Sequence, residues 1–240
     1  KMIDRYDAIV AMRNAPIEQK INIFGVVYQK ETFHAIKTEI VSQVLESKHP
    51  ESLKLIKLGL NDKDVFVRKG VVAATKKIDP SFMDDYEKLL LDSSYQTIAT
   101  VLEKMCANFP ENTQKYLDIT KGIEGTSGRN VICKWLEIAA ATSGDKKYVD
   151  QLVAYTSNSY EFLTRGNALT ALRKLNYIDE KTVNNCIDAC LSSNGRLAGP
   201  ANETIKYFYA QSQYKKVILD NIKNRTGKSW EKDILYKLLQ

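Results

Sequence analysis

The sequence predicts an all-α fold, a solenoid of antiparallel helix pairs in about seven layers that a C-terminal helix caps. Three observations predict this fold class. A short apolar pattern recurs along the whole chain. No stretch shows the sustained alternation of β-branched residues that marks a strand. The five prolines fall between the repeated segments, where a missing N–H costs little, so we expect all of them, including Pro200, at helix boundaries.

The recurring pattern is a polar or aromatic residue followed at +3, +4, +6 and +7 by mostly apolar side chains. Offsets of three, four and seven lie on one face of an α-helix. The pattern returns every 27 to 36 residues, a period typical of stacked helix pairs of the HEAT or armadillo kind. Its copies begin at Arg5, Lys37, Arg68, Tyr95, Arg129 and Arg165, with a weaker seventh copy after Ala201.

Between the repeated helices the sequence predicts partner helices with their own apolar spacing, each paired with the repeated helix after it. Asp62 or Asp64, Asp79 and Asn112 are the expected caps. The last predicted helix, Ser229 to Leu239, carries an apolar face and caps the stack. The other predicted partner helices are Ile17 to Tyr28, Ser52 to Leu60, Phe82 to Leu91, Thr113 to Thr120, Tyr148 to Tyr155, Thr182 to Leu191 and Tyr214 to Lys223.

The composition is that of an ordinary soluble chain. Apolar residues make up 44% and charged residues 27% of the 240 positions, far from the balance of a disordered chain. No apolar run approaches the roughly 18 residues that a membrane-spanning helix needs. The net charge of +6 permits an anionic partner without requiring one. We expect one helical-repeat domain over residues 1–240, excised from the C-terminal part of a longer protein.

Candidate chemistry is sparse. His34 and His49 are the only histidines, so no His-Glu-x-x-His helix and no three-histidine zinc site can form. Cys186 and Cys190 stand one helical turn apart and can supply two thiolates to a metal, yet burial as small apolar residues is favoured. The Gly-rich loop from Gly122 to Gly128 precedes a helix without the spacing of a phosphate-binding motif. We therefore expect no catalytic and no metal-binding residue in the chain.

Arg5, Arg68, Arg129 and Arg165 recur at one position of the repeat. A basic stripe for nucleic acid is one interpretation. The favoured one is a structural ladder that ties the repeats together, because Asp64 lies four residues before Arg68 and Glu161 four before Arg165. Such i, i+4 pairs face each other on a helix.

Polar residues near two predicted helix starts are candidates for contact with a bound peptide. The stretches from Tyr160 to Asn167 and from Asn194 to Asn202 are rich in large hydrogen-bonding side chains, which can line a cleft or serve as caps and inter-repeat contacts. By residue type and position, the peptide-facing candidates are Tyr160, Arg165, Asn167, Arg196 and Asn202.

Four stretches give the chain a resemblance to a known family: Asn61 to Arg68, Tyr116 to Lys121, Tyr155 to Phe162 and Arg196 to Ala201. With its repeats, the chain resembles the HEAT-like C-terminal domain of aminopeptidase N-type zinc metallopeptidases, the gluzincin aminopeptidases, and most of all the bacterial members. The resemblance covers nearly all of residues 1–240. No metal motif accompanies it.

The resemblance implies a non-catalytic domain whose parent enzyme holds zinc in an upstream catalytic domain and uses zinc-bound water to release N-terminal residues from peptides. It also implies that this domain arches over the catalytic face and limits peptide access. The expected partners are that upstream domain and the peptide substrate, with no nucleic acid. The expected setting is soluble, in a bacterial cytoplasm or periplasm.

Two alternatives remain open. A free-standing scaffold of this type can hold a partner helix or peptide on a concave face. A nucleic-acid-binding module similar to HEAT-like DNA-repair glycosylases requires basic residues concentrated on one face.

Overall fold

The computed structural model describes residues 1–123 and 129–240, and these residues form α-helices, short 3₁₀ turns and connecting loops, with no strand among them. The predicted all-α class is confirmed. The helices are α1 (Met2–Ala11), α2 (Ile17–Lys30), α3 (His34–Ser42), α4 (Pro50–Leu60), α5 (Val65–Ala74), α6 (Met83–Lys88), α7 (Tyr95–Asn108), α8 (Thr113–Thr120), α9 (Arg129–Ser143), α10 (Lys146–Tyr155), α11 (Phe162–Lys174), α12 (Glu180–Cys190), α13 (Gly195–Tyr209), α14 (Ser212–Asn224) and α15 (Ser229–Leu238).

All seven copies of the repeated pattern lie on helices, namely the odd-numbered α1 to α13. The predicted partner helices are the even-numbered ones. The segment predicted as one helix from Phe82 to Leu91 is broken into the 3₁₀ turn Pro80–Phe82, α6 and the 3₁₀ turn Leu89–Leu91. A further 3₁₀ turn, Pro110–Asn112, precedes α8.

Two compact units divide the chain, residues Lys1–Lys121 and Gly122–Gln240. In the first unit each odd-numbered helix packs on the next odd-numbered one, from α1 through α3 and α5 to α7. The even-numbered helices α2, α4 and α6 contact one another in the same way, and each also packs against the odd-numbered helix that follows it. The unit is therefore built from two parallel rows of helices.

The second unit repeats part of this arrangement. Its odd-numbered row runs from α9 through α11 to α13, and α12 contacts α14. Cys186, Leu197, Ala201, Ile205 and Phe208 belong to one continuous core between α12, α13 and α14. The terminal helix α15 adds the buried Leu235 to this core, whereas Trp230 is 50% exposed. The apolar face predicted for α15 is thus only partly covered.

Helix starts follow the expected capping chemistry in most places. Asp64 accepts a hydrogen bond from the N–H of Phe66, and Asp79 accepts one from the N–H of Ser81. The cap predicted at Asn112 is wrong, because its side chain makes no capping bond to α8. The 3₁₀ turn that enters α8 places Asn112 at a φ of −99° and a ψ of 6°, away from the extended backbone that capping residues usually adopt.

The prediction that every proline lies at a helix boundary is wrong at Pro200, which lies inside α13. Proline has no N–H to donate to the carbonyl of Arg196 four residues earlier. Asn194 instead starts the helix by accepting a bond from the N–H of Arg196. That early start is the reason why Pro200 falls within the helix rather than at its boundary.

No helix in the described part of the chain is long and apolar enough to cross a membrane.

Close helix packing in the first unit depends on Gly59. A Cβ atom at this position would lie 2.9 Å from one methyl group of Val41 and 3.0 Å from a methyl group of Val71. Both valines are fully buried and β-branched, so they have little rotamer freedom to move aside. Helices α4, α3 and α5 therefore meet at a point where only glycine fits.

We expect Gly59→Ala to destabilise the protein. Overpacking a core costs about 1–3 kcal/mol, more than the roughly 1 kcal/mol that alanine gains over glycine inside a helix. Urea unfolding followed by circular dichroism measures the change. Gly25→Ala on α2 is the matched control, since no atom lies within 4 Å of its added Cβ, and it should leave stability unchanged or raise it. A Gly59→Ala protein as stable as the Gly25→Ala protein would contradict this account.

Candidate functional site

Cations of the repeated helices in the first unit bind carboxylates that precede the next repeated helix. Each cation is the fourth residue after its helix N-cap, and each carboxylate lies two residues before the following N-cap. The N···O distances are 2.9, 2.9 and 2.5 Å. The three pairs are Arg5 with Glu31, Lys37 with Asp62, and Arg68 with Asp92.

The carboxylates in these pairs are the buried partners. Their side chains are only 2–5% exposed, at Asp92, Glu31 and Asp62. Each carboxylate also accepts backbone N–H bonds at the start of the next helix, such as the bond from Asp64 to Asp62. The pairs therefore tie consecutive layers together, as the structural interpretation predicted for Arg5 and Arg68.

The predicted intrahelical partners are wrong. Asp64 caps its own helix through Phe66, and Arg68 binds Asp92 instead. Glu161 accepts bonds from the N–H groups of Leu163 and Thr164. A carboxylate at an N-cap is turned toward the first-turn N–H groups of its own helix and away from the residue four places on.

A second polar cluster surrounds Asp62. Tyr28 donates its hydroxyl to the same carboxylate oxygen that accepts from Lys37, at 2.7 and 2.9 Å. The Lys37 ammonium also lies 4.8 Å from the centre of the Tyr28 ring. Burial, together with this bond to Asp62, raises the pKa of Tyr28 well above its ordinary value. The cluster pairs the buried Asp62 carboxylate with two donors, the Tyr28 hydroxyl and the Lys37 ammonium.

The ion pairs make the stability of the first unit depend on pH. The hydrogen bonds from Arg5, aided by the N–H groups of Phe33 and Thr32, lower the pKa of Glu31 to about 2. The Arg13 guanidinium lowers the pKa of Glu39 in the same way. A carboxyl group whose pKa is lower in the folded state stabilises that state above its unfolded pKa, here 4.5 for Glu31. That stabilisation is lost as the pH falls toward the folded pKa.

We expect Glu31→Gln to reduce the free energy of unfolding at neutral pH and to have progressively less effect as the pH falls from 4.5 toward 2. The reason is that protonation removes the same charge in the parent protein. Urea unfolding at a series of pH values measures the difference. Glu18→Gln, at an exposed position of α2, is the control and should keep a constant offset. A Glu31→Gln offset that does not change with pH would contradict the assignment.

Of the predicted peptide-facing residues, three lie around the start of α11. Tyr160 precedes the helix, and the Arg129 guanidinium stacks over its ring at 5.2 Å while Tyr155 makes an edge contact at 5.0 Å. Arg165 donates from Nε to the Thr156 carbonyl at 3.1 Å. Asn167 donates to Asn130, which joins the first turn of α9 to the second turn of α11.

The other two lie on α13. Arg196 is exposed in the first turn of the helix. Asn202 is half-buried, and its side-chain carbonyl oxygen has no hydrogen-bond partner among the described residues. Helices α11 and α13 approach closely at Gly166, where a Cβ atom would lie 3.2 Å from the Arg196 carbonyl oxygen. Arg165 and Arg196 are therefore carried by adjacent helices.

The histidines and cysteines have structural surroundings. His34 lies between the rings of Phe33 and Phe66, and His49 caps α4 through Nδ1. The four cysteines are free thiols. Burial raises the pKa of Cys133 to about 12, and a hydrogen bond that the Cys186 thiol donates to Cys190, together with burial, raises the pKa of Cys186. Protonated thiols are poor nucleophiles and poor metal ligands.

Within residues 1–123 and 129–240, no three His, Cys, Asp or Glu side chains are grouped so that they could hold a metal ion. In the Gly-rich loop considered above, Gly122 has a positive φ of 85°. Gly125 and Gly128 lie outside the described residues.

The carboxylates Glu31, Asp62 and Asp92 were missed by the sequence reasoning. A signal for them exists, because they are spaced 31 and 30 residues apart, like the repeats themselves. Asp62 was considered only as a cap.

Comparisons with protein-family models, with curated proteins and with solved structures found no match to this chain.

Proposed function

We propose that the chain is a non-catalytic HEAT-like solenoid domain of a zinc aminopeptidase, spanning residues 1–240. The observation that carries the proposal is the packing of alternate helices, into two rows in the first unit and into the row α9, α11 and α13 in the second. This is the layered construction that the resemblance to the C-terminal domain of gluzincin aminopeptidases implies. In such an enzyme the zinc and the catalytic residues belong to a separate upstream domain.

In this role the domain limits which peptides reach the active site of its parent. Its contribution is shape and a polar surface for the peptide, offered by Tyr160, Arg165, Asn167, Arg196 and Asn202. The stretches that carry the family resemblance include parts of this surface, at Tyr155 to Phe162 and Arg196 to Ala201.

The polar contacts of the first unit weigh against the nucleic-acid alternative. A basic stripe binds phosphates through cations that are free to release their counterions. Arg5, Lys37 and Arg68 instead hold buried carboxylates. Withdrawing any of these cations toward a phosphate would leave a buried carboxylate without its partner.

A free-standing peptide scaffold is the second candidate, favoured by the exposed side chains at the starts of α11 and α13, such as Leu163 and Arg196. It differs from the first in needing no upstream catalytic domain.

The proposal is tested on the protein encoded by this sequence together with any coding sequence that precedes Lys1. The full protein and a version that ends before Lys1 are compared for bound zinc and for hydrolysis of an alanine chromogenic substrate and of peptides of increasing length. We expect both versions to hold zinc. Removing residues 1–240 should change activity and should relax the selection between short and long peptides.

Circular dichroism and zinc content provide the control that the shortened version is folded. A full protein without zinc-dependent peptidase activity would exclude the aminopeptidase assignment. Unchanged activity and unchanged selection by peptide length after removal would exclude the role in access.

A further inference from the structure

In the second unit, the cation at the equivalent position of the repeat is Arg165, and it forms no ion pair with a described carboxylate. Arg165 is the fourth residue after the N-cap Glu161, the place that Arg5, Lys37 and Arg68 occupy in their helices. In the first unit the carboxylate lies two residues before the next N-cap. For Arg165 that next N-cap is Asn194, and two residues before it stands Ser192. A hydroxyl has replaced the buried acid.

Two further arginines share this end of the unit. Arg129 lies in the first turn of α9 and Arg196 in the first turn of α13. We refer to Arg129, Arg165 and Arg196 as the arginine row. No described carboxylate lies within ion-pair distance of any of the three, whereas Arg173 pairs with Glu203 and Arg225 pairs with Asp188 in the same unit.

The arginine row is held together by contacts between neighbouring helices. The stacking of Arg129 on Tyr160 and the bond from Asn167 to Asn130 join the starts of α9 and α11. The close approach at Gly166 joins α11 to the first turn of α13. Glu161 lies four residues before Arg165. Its carboxylate accepts hydrogen bonds from the N–H groups of Leu163 and Thr164.

Charge is also distributed unevenly between the units. Residues 1–121 contain 18 Lys and Arg against 17 Asp and Glu, whereas residues 122–240 contain 17 against 12. Nearly all of the net positive charge therefore belongs to the unit that carries the arginine row, which favours an anionic ligand there.

We propose that the arginine row binds the side-chain carboxylates of an acidic peptide in extended conformation. This inference deepens the proposed function, because it rests on the peptide-facing role of the same surface and gives the class of peptide. Guanidinium groups match carboxylates through two parallel hydrogen bonds. Adjacent packed helices are about 8–10 Å apart, and an extended chain advances about 10 Å in three residues. Acidic residues at every third position therefore fit the row.

A peptide fits this surface better than single-stranded nucleic acid does. Binding of single strands depends on aromatic rings that are free to stack with bases. Tyr160 is the aromatic residue in contact with the row, and its ring is already engaged by Arg129 and Tyr155.

The test is fluorescence anisotropy with the full 240-residue chain and three labelled probes. The first is a twelve-residue peptide with Glu at every third position, the second has Gln in place of each Glu, and the third is a short oligothymidylate. We expect the Glu peptide to bind with an affinity that falls as salt is added. The Gln peptide should bind at least about tenfold more weakly, in line with loss of charge-assisted hydrogen bonds.

Two variants locate the binding surface. Arg196→Gln and Arg165→Gln should each weaken binding of the Glu peptide by about three- to tenfold, the range of one partly exposed charge pair. Arg173→Gln is the matched control, because this arginine already pairs with Glu203, and it should leave the affinity unchanged. Thermal unfolding of each variant checks that the fold is kept, and Arg165→Lys replaces Arg165→Gln if the latter is unstable.

Equal affinity for the Glu and Gln peptides, or equal weakening by Arg173→Gln, would overturn the proposal. Tighter binding of the oligothymidylate would overturn it in favour of a nucleic-acid surface. Because the assay uses the chain alone, a negative result here leaves the zinc and peptidase measurements on the longer protein to decide the proposed function separately.

Discussion

Every helix within residues 1–123 and 129–240 has 15 described residues or fewer, and isolated helices of that length are marginal in water. The fold therefore depends on burying the apolar stripe of each helix against its neighbours in the row. Fully buried side chains such as Phe24, Ile40, Val71 and Leu102 lie on α2, α3, α5 and α7 of the first unit. Each layer supplies the surface that its neighbour needs, so the stability of one layer depends on the layers beside it.

This dependence explains where the polar groups of the first unit lie. Loops between layers bring carboxylates such as Asp62 and Asp92 into contact with the core, where an unpaired charge would be strongly destabilising. The cation that neutralises each one comes from the preceding repeated helix. The apolar stripe and the ion pair therefore fix the register of the same two helices, one through shape and the other through charge.

The helices could be predicted from the sequence because their signal is local. A residue pattern at +3, +4 and +7 depends only on helix geometry, and it placed all seven repeated helices. The ion pairs could be predicted only in part. Arg68 was recognised as a structural cation, but its partner Asp92 is 24 residues away, and choosing it over Asp64 requires knowing that Asp64 is occupied as a cap.

The candidate site was the least predictable part. The importance of Arg165 and Arg196 as neighbours arises from the contact at Gly166, which a single sequence does not reveal. The helix boundary predicted at Pro200 was wrong for a related reason. The missing N–H of Pro200 leaves only the Arg196 carbonyl without its helical donor, and α13 continues past it. Tertiary packing sets both features.

The two units use one position of the repeat in different ways, and the difference has an energetic basis. In the first unit a cation at this position serves a carboxylate that is 2–5% exposed. A ligand that drew the cation away would leave that carboxylate without its partner, which destabilises the fold. In the second unit the corresponding residue is Ser192, which is uncharged and needs no cation as a partner. The Arg165 guanidinium can turn part of its donor set to an external anion while Nε keeps its bond to Thr156. With serine at the position of the buried acid, Arg165 has no described carboxylate partner.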